Sequence, residues 1–501
     1  MAHFFRAPDR RQRFLLPVDM MEWLPEDDIV HLIVDAVGLM DLSQFEASCK
    51  VGGAGQPPFA PAMLLTVLIY AYSHGVRSSR VIERLCRRDA GYRFIVGDEV
   101  PDHTVIARFR QRHVGEMKGV FLQVLDLCRE AGLIRLGLVA LDGTKVKANA
   151  ALDANRTAST IGEQVCRMLA KAEATDAQED RRFAAGAGGP AMPKGLGRHA
   201  DRLARLKACQ EKLTARAVAA AARQQAKIAA REAEETASGK RKRGRKPKAP
   251  DPSVDPDTVA NPTDPDSGIM KTRHGWLQGY NAQAVVTPGQ IILAADVTCE
   301  ANDVHQLSGM LDQAQANVAA VMGEDALLGA AVADAGYWSE ANADSQTEEC
   351  ELFIATRKDR TQRAVLRDAP APRGRMPKSL TARQRMDRKL RTKRGRALYR
   401  QRGAVIEPVF GQMKDRQGAG HFSMRGLERC RGEWQLDAAV HNLRKLHRDS
   451  VRRAENAGNS ETTARNPACM RERGPPPPAM RGPEAATPRV TRYSATASLQ
   501  G

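Results

Sequence analysis

Val139-Ala140-Leu141-Asp142-Gly143-Thr144-Lys145 is a short apolar run that ends in an aspartate and a glycine. A second run has the same form: Gly329-Ala330-Ala331-Val332-Ala333-Asp334-Ala335-Gly336-Tyr337. Such runs suit buried strands whose C-terminal ends present a carboxylate at a cleft. A third acid, Glu407, lies in Tyr399-Arg400-Gln401-Arg402-Gly403-Ala404-Val405-Ile406-Glu407-Pro408-Val409-Phe410-Gly411-Gln412-Met413-Lys414, inside a basic stretch that begins at Lys378. By itself, one acid among bases reads as a surface ion pair. Three acids brought together can instead share two divalent cations. Such a pair activates a water or a sugar hydroxyl for in-line attack on a phosphodiester and stabilises the leaving oxygen.

Together the three segments resemble the DDE transposases of bacterial insertion sequences, the group with a Tyr-Arg-Glu-Lys motif. Asp142, Asp334 and Glu407 stand where that family carries its Asp, Asp and Glu. Tyr399, Arg402, Glu407 and Lys414 match the motif, except that four residues rather than three separate Arg402 from Glu407, which leaves Arg400 as a substitute. The resemblance covers roughly residues 1–447. It implies that Asp142, Asp334 and Glu407 are both the catalytic residues and the ligands of two Mg²⁺ ions, with Mn²⁺ able to replace them. Tyr399, Arg402 and Lys414 would hold phosphates near the cut, and Lys145 is either a further phosphate contact or a surface lysine. The implied partners are double-stranded DNA, as terminal inverted repeats and as target, and a second copy of the chain in a paired-end complex. The implied reaction is cleavage at the element's end followed by strand transfer. Two alternatives stay open: an inactive, transposase-derived DNA-binding protein, and a related nuclease without strand transfer.

Composition agrees with a polyanionic partner. The chain has 501 residues and a net charge of +18, an excess that favours nucleic acid. A hydrophobic content of 42% is enough for real cores. The nine cysteines are scattered, with no Cys-x-x-Cys pair, which argues against a disulfide framework or a zinc site. No apolar run approaches a membrane span and residues 1–17 lack a signal-peptide core, so the expected location is cytoplasmic, at the nucleoid when bound to DNA.

The expected fold class is α/β: an RNase H-like mixed sheet flanked by helices, with an N-terminal all-α domain and a helical insertion. Residues 1–130 read as a helical DNA-binding domain. Its last arginine-rich helix, capped by Thr104 or Asp102, carries Arg108, Arg110 and Arg112, in the manner of a helix-turn-helix reader or of a merely solvated helix. His103 and His113 read as structural. Residues 135–148 and 266–448 read as the catalytic domain, interrupted by a helical and basic insertion over 149–265. In that insertion Ile161, Val165 and Met168 match Leu203, Leu206 and Leu213 as an antiparallel helical pair. Seven of the nine residues from Lys240 to Lys248 are basic. Arg243 and Arg245 there loosely resemble an AT-hook entering a minor groove; a basic linker that binds any phosphate backbone is the plainer and favoured reading. Next come a hairpin over Gly279–Val286 and Ile291–Val297, a helix opening near Asn302, the strand to Asp334 and a strand near Leu352. Asn281, Asp303 and His305 are placed near the site, without a catalytic role assigned to them. Trp276 reads as a packing residue, with stacking on an extruded base as the alternative. Residues 449–501 read as a disordered tail.

Overall fold

The structure is a computed structural model that describes residues 20–48, 57–170, 196–241, 244–273, 275–347, 350–377 and 379–464. The chain begins with seven helices: α1 (Ile29–Gly38), α2 (Ser43–Ala47), α3 (Pro61–Ser73), α4 (Ser79–Arg88), α5 (Ala90–Val96), α6 (His103–Arg112) and α7 (Met117–Glu130). Helix α3 starts on Pro61, whose missing N–H costs nothing at a first helical turn. It is the buried centre of this region, with every residue from Leu64 to Ser73 inside. Aspartates begin three of the others. Asp28, Asp89 and Asp102 accept from the first-turn amides of α1, α5 and α6.

The sheet is built from β1 (Val139–Lys147), β4 (Gly268–Thr272), β5 (Gly275–Val286), β6 (Ile292–Thr298), β7 (Gly329–Ala333) and β8 (Cys350–Ile354); β2 and β3 lie in the insertion. β5 is its longest strand. One edge of β5 pairs with β1, and the other takes β4 and then β6. β1 is antiparallel to β5 but parallel to β7, and β7 is parallel to β8. Four strands joined antiparallel, two further parallel ones and flanking helices form an RNase H-like mixed sheet.

Between β1 and the rest of the sheet lies the insertion. A helix over 158–170 (α8) packs on α9 (Leu196–Ser238), burying Ile161 and Val165 against Leu206, Cys209 and Leu213. A two-stranded pair, β2 (Arg156–Thr157) with β3 (Val259–Ala260), closes its base. The hairpin seen from sequence is longer than expected, because β5 begins at Gly275 and gains β4 as a partner. After β6 come α10 (Leu307–Met322), α11 (Glu340–Asp344), α12 (Asp359–Asp368), α13 (Ala382–Leu390), α14 (Lys393–Arg416) and α15 (Leu427–Ala464). Helix α15 runs into the expected disordered tail over 449–501, since the residues there (Arg452, Arg453, Ala454, Glu455) are good helix formers. Beyond Ala464 the tail lies outside the described residues.

Candidate active site

Strand register brings the first two acids together. Leu141 stands opposite Ala333 in the parallel pair β1–β7, so Asp142, within β1, and Asp334, just past the end of β7, follow side by side. Neighbouring strands lie about 4.8 Å apart, and the two side chains leave the sheet on the same side. Each carboxylate is tied locally: Asp142 Oδ1 accepts from Gly143 N at 2.8 Å and Asp334 Oδ1 from Gly336 N at 2.8 Å. Burial pushes the Asp142 carboxyl up to about 6, against the pull of Arg402, and burial also raises Asp334. Both acids are poorly compensated.

Helix α14 lies against these two strands and carries the whole basic motif. Its Arg402 is buried. It donates to Asp142 Oδ2 at 2.9 Å and lies 3.4 Å from Asp359 Oδ1. Burial works against its charge, but Asp142, Tyr399, Asp334 and Asp359 more than offset this and hold the guanidinium protonated. Tyr399 is buried one turn earlier, with its phenol pushed up to about 12 by desolvation. Neither residue faces the solvent as a ready phosphate contact. Arg400 is exposed.

Glu407 does not join the two aspartates. Its side chain is 60% exposed and sits 3.4 Å from Arg363. Among the described residues, the only three His, Cys, Asp or Glu side chains whose ligand atoms all lie within 4.8 Å of one another are Glu83, Asp102 and His103. That trio is on the N-terminal helices, where His103 bonds Glu83 at 2.9 Å. The helix period explains Glu407. Five residues turn α14 by about 140° from Arg402, whereas four would turn it by about 40°. The inward place is taken by Ile406, which is fully buried. Glu407 instead shares a stripe with Lys414, seven residues on. Lys414 Nζ donates to Thr144 Oγ1 at 2.6 Å and to the Lys145 carbonyl at 3.0 Å. The stripe that holds Glu407 therefore meets β1 just past Asp142.

Two further acids, not committed as site members from the sequence, lie near the pair. Asp303 lies in the loop before α10, 3.6 Å from Lys145 Nζ. Lys145 also donates to the Ala301 carbonyl at 2.8 Å. Asp359, at the start of α12, shares Arg402 with Asp142. Tyr337 is buried and bonds Gln283. Several expected contacts fall elsewhere. Arg110 is a correction: it is buried, donating to the Arg77 carbonyl at 2.9 Å and to Tyr72 at 3.2 Å, so it packs the domain rather than facing DNA. Its spacing from the buried Ile106 is one helical turn, a signal present in the sequence. Arg108 and Arg112 are exposed. Arg108 lines a groove of about 720 Å³ with Arg80, His103, Asn149 and His421. Trp276 is a second correction: it is 61% exposed at the start of β5, with Lys271 over its ring, and is no packing residue. Arg245 is exposed, and Arg243 lies outside the described residues.

Oxygen donors are what Mg²⁺ or Mn²⁺ takes. Asp142 and Asp334 offer carboxylates at one place, and the space above Gly336, where a Cβ would go, is bordered by Asp334 Oδ1 at 2.9 Å. The residues present fit a divalent cation there.

The arrangement places two acids side by side on neighbouring parallel strands of an RNase H-like sheet. Two family models then match the chain: a transposase domain (DUF772) over residues 18–112, and a transposase DDE domain over residues 371–447. The second match holds Tyr399, Arg402, Glu407 and Lys414 but neither aspartate. No curated protein and no solved structure matches. The chain thus carries two regions matched by transposase domains, as in the DDE transposases of insertion sequences. Among its described residues no helix is long and apolar enough to cross a membrane.

Proposed function

We propose that the chain cleaves DNA at the terminal inverted repeats of its element and joins the freed 3′ end to target DNA. The observation that carries this reading is the β1–β7 register, which sets Asp142 beside Asp334 under the motif helix. Asp142 and Asp334 would hold divalent cations, Mg²⁺ or Mn²⁺, with Glu407 as the third acid of the set. When bound, these cations supply activation of the attacking hydroxyl and stabilisation of the leaving oxygen.

The rest of the reaction belongs to side chains. Arg402 neutralises Asp142, keeping the acid pair from repelling in the protein alone. Lys145 and Lys414 flank the exit of β1, where a scissile phosphate meets positive charge. Arg80 and Arg108 line the groove along which the repeat runs from the N-terminal helices. Two copies synapse two ends. The exposed Arg245 serves as a backbone contact of the insertion.

The outward Glu407 favours one other reading: a DNA-binding protein that has lost catalysis. Incubating the full chain with a labelled repeat-end duplex, a target plasmid and Mn²⁺ separates these. Strand-transfer products that vanish in Glu407→Gln support the proposal. Nicking without joining makes the chain a nuclease, and binding alone supports the inactive reading.

A further inference from the structure

Asp303 stands near Asp334, across the Cβ position of Gly336. Its Oδ1 is held in place, accepting from Asn281 Nδ2 at 2.6 Å and from Gln283 Nε2 at 2.8 Å. Its Oδ2 is turned elsewhere. The position a Cβ would take on Gly336 lies 3.3 Å from Asp303 Oδ2 and 2.9 Å from Asp334 Oδ1. Two carboxylate oxygens from different loops thus converge on a space left empty by a glycine. Above Gly143, next to Asp142, the position a Cβ would take is filled by Gln283 Nε2, with Asp303 Oδ1 at 2.8 Å and Asn281 Oδ1 at 2.9 Å around it.

Asn281 supplies an independent observation. It is fully buried, and its Oδ1 has no hydrogen-bond partner. Flipping the amide is no remedy, because Nδ2 faces two acceptors, Asp303 Oδ1 and the Glu300 carbonyl at 3.2 Å. The oxygen therefore points at the acid pocket, where nothing donates to it. A buried acceptor in that position is completed by a cation or its water.

We propose that Asp303 is a further carboxylate ligand of the divalent cation held by Asp142 and Asp334, oriented by Asn281 and Gln283. This rests on the metal-dependent reading above. Amides that fix a carboxylate are the usual outer support of a metal site. Lys145, 3.6 Å from Asp303 Oδ1, is the positive charge that Asp303 faces in the protein alone. The competing account makes Asp303 a structural acceptor for two amides and one lysine.

Mn²⁺ binding to the full chain, read by water-proton relaxation, decides between them. Wild type is compared with Asp142→Asn, Asp303→Asn, Gly336→Ala and Asp359→Asn. Gly336→Ala fills the space between the two oxygens without changing charge, and it serves if Asp303→Asn fails to fold. The expected result is at least about a tenfold weaker Mn²⁺ affinity for both Asp303→Asn and Gly336→Ala, with Asp359→Asn near wild type. Loss in Asp142→Asn alone would overturn the Asp303 assignment and leave the metal-dependent reading standing. Absence of Mn²⁺ binding in wild type would remove that reading, and the assignment with it.

Discussion

Two clusters of charge lie inside this molecule, and they are built in different ways. One joins the N-terminal helices to α15. There Arg77 pairs with Glu433 at 3.1 Å and with Asp437. Glu433 also accepts from Tyr72 at 3.0 Å, from Ser423 N at 3.0 Å and from Met424 N at 3.1 Å. Burial opposes its charge, but Arg77 and Arg110 outweigh burial and hold the carboxyl below its usual range. The other cluster is the acid pocket. Asp142 has one backbone amide and one arginine, and burial prevails there. The first network is closed around Glu433 but not around its neighbour Asp437, whose Oδ2 has no partner and whose carboxyl burial pushes up to about 7. An open network, with acids left short of donors, is what a site needs when its missing partner arrives from solution.

Breaking the closed cluster should have the largest effect on folding. Glu433→Ala leaves Arg77 buried beside lost partners, and should cost about 3–5 kcal/mol in urea unfolding. A loss under about 1 kcal/mol would put the two clusters on the same footing. Asp142→Asn should do the reverse. Its stability should stay within about 1 kcal/mol of wild type, since the acid is poorly compensated, while repeat-end cleavage falls at least about a hundredfold. A large loss of stability would show that the pocket is structural.

A pH scan sharpens the comparison from the closed side. His441, buried in α15, donates from Nε2 to the Gln290 carbonyl at 2.9 Å. Burial drops its pKa to about 3 from an ordinary 6.5. The unfolded chain therefore binds a proton that the folded chain refuses. Stability is whole above pH 6.5 and falls as the pH drops toward 3, by about 2 kcal/mol between pH 6.5 and 5. His441→Gln keeps a donor for Gln290 and should lack that slope. An identical slope in wild type and variant would reject the assignment. The smallest effect expected is at the exposed Arg108. Arg108→Ala should weaken binding to any duplex by about 1 kcal/mol and lower the salt slope by about one. Unchanged affinity and slope would take the groove out of the DNA path.

Much of this could be read from the sequence, where local pattern decides structure. Asp142 and Asp334 stood out because an apolar run leads into each, and the register of β1 on β7 brings them side by side, although β1 continues past Asp142 to Lys147. The helical pairing of Ile161 and Val165 with Leu206 and Leu213 was legible from spacing alone. Asp303 was not. Its nearness to Gly143 and Gly336 depends on strands far apart in the chain, and no periodicity links them. Arg110 was misread through composition, since arginine suggests a surface while its spacing from Ile106 turns it inward. The outward turn of Glu407 was foreshadowed by the extra residue after Arg402. On a helix, one residue changes the face.

The most direct test is cleavage of a labelled duplex carrying the element's terminal repeat, with Mn²⁺, by wild type and by Asp334→Asn. Nicking at the repeat boundary in wild type, metal-dependent and absent from Asp334→Asn, is the predicted result. Equal nicking by both proteins, or none by either despite tight binding, would contradict a reaction centred on the paired acids.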